Sequence, residues 1–331
     1  MKPRIIVSVL DSLSGPTDVA LTRALWLAHQ YDSELHAVHV DVPDWVGRRD
    51  GEAISAGLVD RIRRIAERSA VAGVTVVPAM LSGSPVRAIA DYTDRVSADL
   101  VVVAKRARRA SGYWSAGSFP AALGKAVKSP TIAVAGGNAP PGDSGFFRNI
   151  LVPIDFSAVS IRALSAALVL AQQSGGRLQL LHVLEGFPYE TVYSGSRAFR
   201  LIPELHAQMA WRNRELRSLI PPDAWNWSEI DVATVSGLAH EAIVTTASKR
   251  RADLVVLGLP RRSRLEEFVA GSTVNRVLRR TTPPVLLVPG PSRPRRVTSH
   301  VEHDDVLAPY TCAPGLVASG AAASGSWERA S

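Results

Sequence analysis

The chain has 331 residues, 46% of them hydrophobic and 21% charged, with a formal net charge of +8 and a pI near 10.0. That is enough chain for two domains of ordinary size and enough apolar residue for a core in each. It excludes a bilayer-spanning helix, because no apolar run approaches the ~18 residues one needs. The basic balance alone would admit nucleic acid. The arginines, however, are scattered over helix faces, loops and tail, with no helix-turn-helix, zinc-finger spacing or aromatic RNA-binding motif beside them, so nucleic acid is not the expected partner. The one cysteine, Cys312, rules out a disulfide within one chain and fits a reducing cytoplasm.

Taken in order, the apolar run after Met1-Lys2-Pro3-Arg4 is too short for a signal peptide and reads as a strand over 4–10. Pro16 to Tyr31 reads as an amphipathic helix with Leu21, Leu25 and Ala28 on one face. Leu35 to Val40 is a second strand, 51–72 a helix, and Val74 to Met80 a third strand. Ser84-Pro85 starts a helix, proline being suited to an early helical position. Leu100 to Val103, a helix over Gly117 to Val127, and Pro130 to Val134 complete the alternation. Strand and helix in strict turn imply a parallel, doubly wound sheet.

Residues 137–147 read as a linker by their glycine, proline and serine content. The alternation then restarts: a strand over Arg148 to Asp155, a helix over Ser157 to Ser174, and a strand over Arg177 to Leu184. The segment 191–220 is expected to be helical in part, interrupted at Pro203. Ile230 to Val235 is a strand, Leu238 to Arg250 a helix, and Pro284 to Val288 the last strand. The halves are copies. Gly83, Asp99, Gly117-Ser118 and Pro130 recur as Gly237, Asp253, Gly271-Ser272 and Pro284 at a constant spacing of 154 residues, and His39-Val40 recurs as His182-Val183. The expected domains are 1–136 and 148–290, and the tail 291–331, with no periodic apolar face, is expected to be disordered. His300 and His303 in that tail are too few ligands for a metal site.

The chemistry-bearing stretch is Leu254 to Val274. A buried strand ends at Gly258, a charged connection follows, and Gly271-Ser272-Thr273 opens a helix. A helix start leaves free N–H groups and a partial positive charge, and glycine lets an anion approach the backbone, so these are the parts of a phosphate cradle. The same Gly-Ser-Thr is also an ordinary helix cap.

With the strand-end Asp155, the spacing Gly258…Gly271-Ser272 and the last Pro-Val-Leu-Leu-Val strand, residues 1–290 resemble two tandem copies of the universal stress protein family. The resemblance implies two Rossmann-like domains, each a five-stranded parallel α/β sheet, paired as an intramolecular pseudo-dimer through their last strands. It implies ATP, with Mg, as ligand. Residue by residue, it puts Pro153, Ile154 and Asp155 at the nucleoside, Val183 facing adenine, and Leu257 and Gly258 at the strand exit. Gly271, Ser272, Thr273 and Val274 fall at the phosphate-contacting helix start. The family's second glycine is Arg261 here, which either closes the loop or supplies a cation to an anionic oxygen.

Domain 1 departs further. Its loop reads Ala104-Lys105-Arg106-Ala107, and Asp11 aligns with Asp155 only after a one-residue shift of strand register. Asp11, Val40, Gly117 and Ser118 are therefore expected to form a weaker or vestigial site beside a basic, anion-attracting cluster that includes Lys105.

Three functions remain open: a cytoplasmic stress protein whose second domain binds an adenine nucleotide as a regulatory ligand, an interaction module of the same fold without nucleotide, and a weak ATPase or phosphoryl or nucleotidyl transferase. Against the enzyme, there is no Walker A, no Gly-x-Ser-x-Gly and no metal cluster. A homodimer and an unknown protein partner are further expectations. A membrane partner has no support.

Overall fold

A computed structural model describes residues 2–10, 19–41, 51–68, 73–105, 118–135, 147–185, 198–260, 270–291, 305–306 and 310–311. In the first half these are β1 (Ile5–Val9), α1 (Val19–Tyr31), β2 (Glu34–Asp41), α2 (Gly51–Arg68), β3 (Thr75–Ser82), α3 (Pro85–Arg95), β4 (Leu100–Ala104), α4 (Ser118–Ala126) and β5 (Thr131–Val134). The second half gives β6 (Asn149–Pro153), α5 (Ala158–Ser174), β7 (Arg177–Leu184), α6 (Ala198–Ser218), α7 (Ala224–Trp227), β8 (Ile230–Ser236), α8 (Ala239–Lys249), β9 (Leu254–Leu259), α9 (Ala270–Arg280) and β10 (Val285–Pro289). Local signals explain several boundaries. Ser84 precedes Pro85 at the start of α3, and Gly175, at φ 60°, ends α5 in the left-handed conformation that glycine adopts without penalty.

Each half is a parallel sheet in the order β3-β2-β1-β4-β5 or β8-β7-β6-β9-β10. The strands are apolar on both faces, as helix-covered parallel strands must be. In β9, Leu254 and Val256 point into one core while Val255 and Leu257 point into the other. The two sheets are one sheet, because β5 pairs antiparallel with β10, with Ala133 opposite Val285, Ile132 opposite Leu286 and Thr131 opposite Leu287. Both cores therefore run without a break across the two domains. The pseudo-dimer is built from the two last strands.

Two expectations are corrected. Pro203 does not interrupt its helix: α6 runs through it. Proline at the sixth helical position forfeits the single ladder bond its missing N–H would make to residue 199. The tail is not wholly without structure, since β11 (Asp305–Val306) and β12 (Tyr310–Thr311) pair antiparallel with β3. The outer edge of β3 offers unpaired backbone groups, and these short strands meet some of them.

Lys105, read from sequence as part of a basic loop, is turned inward and 3% exposed. Its Nζ donates to the carbonyl of Thr281 at 2.9 Å and to that of Pro283 at 2.5 Å, so a domain 1 amine ties down the turn between α9 and β10 of domain 2. Burial lowers its pKa from 10.5 to about 7. In the unfolded chain the ordinary lysine keeps its proton to about 10.5. Between those two values the unfolded state binds more protons, and stability rises with pH. We expect thermal unfolding midpoints of the natural chain to rise relative to Lys105→Met between pH 7 and pH 10. Parallel pH profiles for the two would show that Lys105 does not titrate in this window.

Candidate functional site

In an open α/β sheet, ligands settle at the carboxyl ends of strands where the order reverses. Here that point lies between β6 and β9, which are hydrogen-bonded neighbours, with Ile150 opposite Leu254 and Leu151 opposite Val255. Pro153 closes β6 against Leu181, and Ile154, 2% exposed, donates its amide to the Leu181 carbonyl at 2.8 Å. The chain then turns through Phe156 at φ 63°, a left-handed position rare for a bulky residue. His182 donates from Nδ1 to the Ile154 carbonyl at 2.7 Å and packs edge-on against the Phe156 ring, centroids 5.0 Å apart. Arg212 covers that ring from α6 at 5.0 Å.

This scaffold fixes Asp155, whose side chain is exposed to the crevice mouth. Its Oδ1 accepts from the Ser157 amide at 2.9 Å and the Ser157 hydroxyl at 2.5 Å. Ser157 in turn accepts from the Ser160 amide, capping α5. Partial burial pushes the Asp155 carboxyl up, but hydrogen bonds from the Ser157 and Ser160 hydroxyls and the Ser157 amide outweigh it and hold it below its ordinary value. The carboxylate is thus ionised near neutrality and braces the helix start. A carboxylate accepts at about four lone-pair sites, so the two bonds from Ser157 leave capacity for a ligand hydroxyl.

Leu257 is buried in the core and Gly258 lies one position on in β9. The space a Cβ would take at Gly258 holds the backbone of α5, 2.4 Å from the Val159 carbonyl carbon and oxygen. The glycine thus serves first to let β9 and the start of α5 touch. Because β9 and β10 are parallel, the helix between them must run back along the sheet, which places the first turn of α9 at the crevice end. Gly271, Ser272 and Thr273 lie in that turn, where the amides of Gly271 and Ser272 have no partner in the helix's own ladder and that of Thr273, the fourth residue, begins it. Val274 is 8% exposed and packed in the core, and as the fifth residue of α9 its amide bonds within the helix, so it acts by packing the helix start in place. Val183 sits on β7 opposite Val235, half-buried. Arg261 lies outside the described residues, as do Asp11 and Gly117 of domain 1.

In domain 1, Val40 pairs with Leu81 on β2 and β3, and Ser118 begins α4. The expected register shift at Asp11 is not there. Leu10 donates to the Val38 carbonyl at 2.8 Å as Ile154 donates to that of Leu181, so the residue after each is Asp11 or Asp155. Domain 1 instead carries one additional residue between Leu10 and Glu34, in the connection through α1. Lys105, bonded to the domain interface, is unavailable to a loop for anions.

A family model described as the universal stress protein family matches residues 3–135 and again 146–289. The chain belongs to the universal stress protein family. Universal stress protein MJ0531 of Methanocaldococcus jannaschii is 27% identical over 148 residues, covering 44% of this chain and 85% of its own. MJ0577 of the same organism is 25% identical over 160 residues, covering 44% and 96%. A crystal structure of a universal stress protein from Archaeoglobus fulgidus aligns over 86% of this chain and 96% of its own with a TM-score of 0.58 at 16% identity. A functionally unknown protein from Pseudomonas aeruginosa aligns over 87% and 92% with a TM-score of 0.55 at 18% identity. These last two likenesses establish the tandem fold.

The sequence reading missed what holds the crevice from below. In this universal stress protein Asp253 precedes β9 and accepts from the amides of Arg148 at 2.7 Å and Asn149 at 3.1 Å; Asp99 does the same for Arg4 and Ile5. The constant spacing of 154 residues was the available signal. Gly258→Ala should cost about 1–3 kcal/mol, because α5 must move as a body away from the new methyl. Gly124→Ala meets only the tips of Leu259 and Leu287 at 2.9 and 3.2 Å and sits in a helix, so it should be near neutral. Denaturant unfolding of both variants checks this, and an equally mild Gly258→Ala would refute the packing account.

Proposed function

We propose that domain 2 binds ATP, or another adenine nucleotide, with Mg, as a regulatory ligand in a cytoplasmic stress response. The observation that carries the reading is the convergence, at the β6–β9 switch point, of an ionised Asp155 with the unladdered amides of the first turn of α9. Asp155 would take a ribose hydroxyl. The amides of Gly271 and Ser272 and the hydroxyl of Thr273 would take phosphate oxygens, aided by the helix dipole. Pro153, Ile154 and Val183 would wall the base, and Arg261 would add a cation at the phosphates. Mg would neutralise those oxygens. In domain 1 the corresponding residues Asp11, Val40, Gly117 and Ser118 would form at most a vestigial site.

Binding rather than turnover is the reading the residues favour. Ser157, the hydroxyl nearest the crevice carboxylate, is engaged on both sides as donor to Asp155 and acceptor from Ser160. Among the described residues no group of three His, Cys, Asp or Glu is placed to hold a metal. No helix there is long and apolar enough to cross a membrane. A second reading, an interaction module without nucleotide, draws on Gly258, whose open face is filled by α5. A homodimer and a protein partner would serve either reading.

Calorimetric titration of the full chain with Mg·ATP should give one site, lost in Asp155→Ala and in Gly271→Asp. Two sites would mean that domain 1 binds as well. No binding at millimolar ATP would leave the interaction module.

A further inference from the structure

At the opposite end of domain 2 from the nucleotide crevice, a cleft of about 510 Å³ opens at the amino ends of β6, β9 and β10. Its polar wall brings together Arg23 from α1 of domain 1 with Ser248, Arg251, Arg280 and Thr281 of domain 2. Phe147, Val244, Ala247 and Pro284 form an apolar wall beside them. We propose that this interdomain cleft binds a phosphomonoester, its phosphate held by the three guanidinium groups and its organic part laid against the apolar wall.

Arginine presents a planar fork of donors matched to phosphate oxygens. Here three forks from two domains share one cleft. Arg23 is 6% exposed, and burial lowers its pKa, so the cleft places a cation where an incoming anion would be felt strongly. The one carboxylate among the lining residues, Asp253, is already taken up by the Arg148 and Asn149 amides, and burial raises its pKa.

A blander account is that Arg251 and Arg280 only offset the carboxyl ends of α8 and α9. Each such end carries roughly half an elementary charge, less than the whole charge of the arginine beside it. Glu241 approaches Arg280 at 3.7 Å with both side chains more than half exposed, a weak pair. The volume exceeds what a bare phosphate fills and lies in the range of small-molecule sites.

Calorimetric titration of the full chain with phenyl phosphate tests this, with inorganic phosphate as a second probe. We expect one saturable site, weakened at least about tenfold by Arg251→Glu and by Arg280→Glu, since each removes a charged hydrogen bond. Both side chains are exposed, so these variants should fold; Arg23→Gln is the inner companion. Asp155→Ala should bind phenyl phosphate unchanged while losing Mg·ATP, which separates this site from the crevice. Absence of saturation, binding that survives both charge reversals, or loss with Asp155→Ala would overturn the proposal. Inorganic phosphate binding as tightly as phenyl phosphate would overturn the organic part.

Discussion

The architecture depends on one strand pair. β5 and β10 are each the last strand of a five-stranded sheet, and each alone would end that sheet in a row of unmet amides and carbonyls. Set antiparallel, they satisfy one another and make one sheet. Everything between the domains follows from that seam. α4 can rest on β10, the two cores merge on each face, and the carboxyl end of β4 comes beside the amino end of β10. The buried Lys105 is a product of this antiparallel arrangement. An amine at the exit of one domain's fourth strand meets the carbonyls at the foot of the other.

Duplication has let the two copies divide their tasks. At corresponding positions after β4 and β9, domain 1 carries Ala104-Lys105 and domain 2 carries Gly258-Leu259. In domain 2 the glycine admits the start of α5 and the leucine is buried in the core, 1% exposed. In domain 1 the lysine is committed to the seam. One strand exit has become part of the joint, while the other is packed against the start of the next helix. Asp99 and Asp253 are among the features that did not diverge, since each braces the foot of the first strand of its domain.

Much of this was readable from residues alone, because alternating apolar strands and periodic helices carry their own signal. The repeat of Asp99 as Asp253 and of Pro130 as Pro284 located both domains and the two strands that join them. Three things were not readable. The direction of Lys105 depends on a surface supplied 176 residues away. The role of Gly258 depends on how closely α5 approaches, which no local pattern encodes. The register of Asp11 looked shifted because the alignment was anchored on the second strand, whereas domain 1's one additional residue lies in the connection that precedes that strand. Pro203 misled for a simpler reason: one absent donor is a small loss to a helix of 21 residues held by its packing.

The short strands β11 and β12 make the two ends of the long sheet unequal. At β3 some of the outer backbone groups are met by the chain's own tail, whereas among the described residues nothing pairs with the outer side of β8. A sheet with two bare margins can add copies indefinitely and become a fibre. One with a single bare margin has a valence of one, so joining of this kind stops at a symmetric pair of chains.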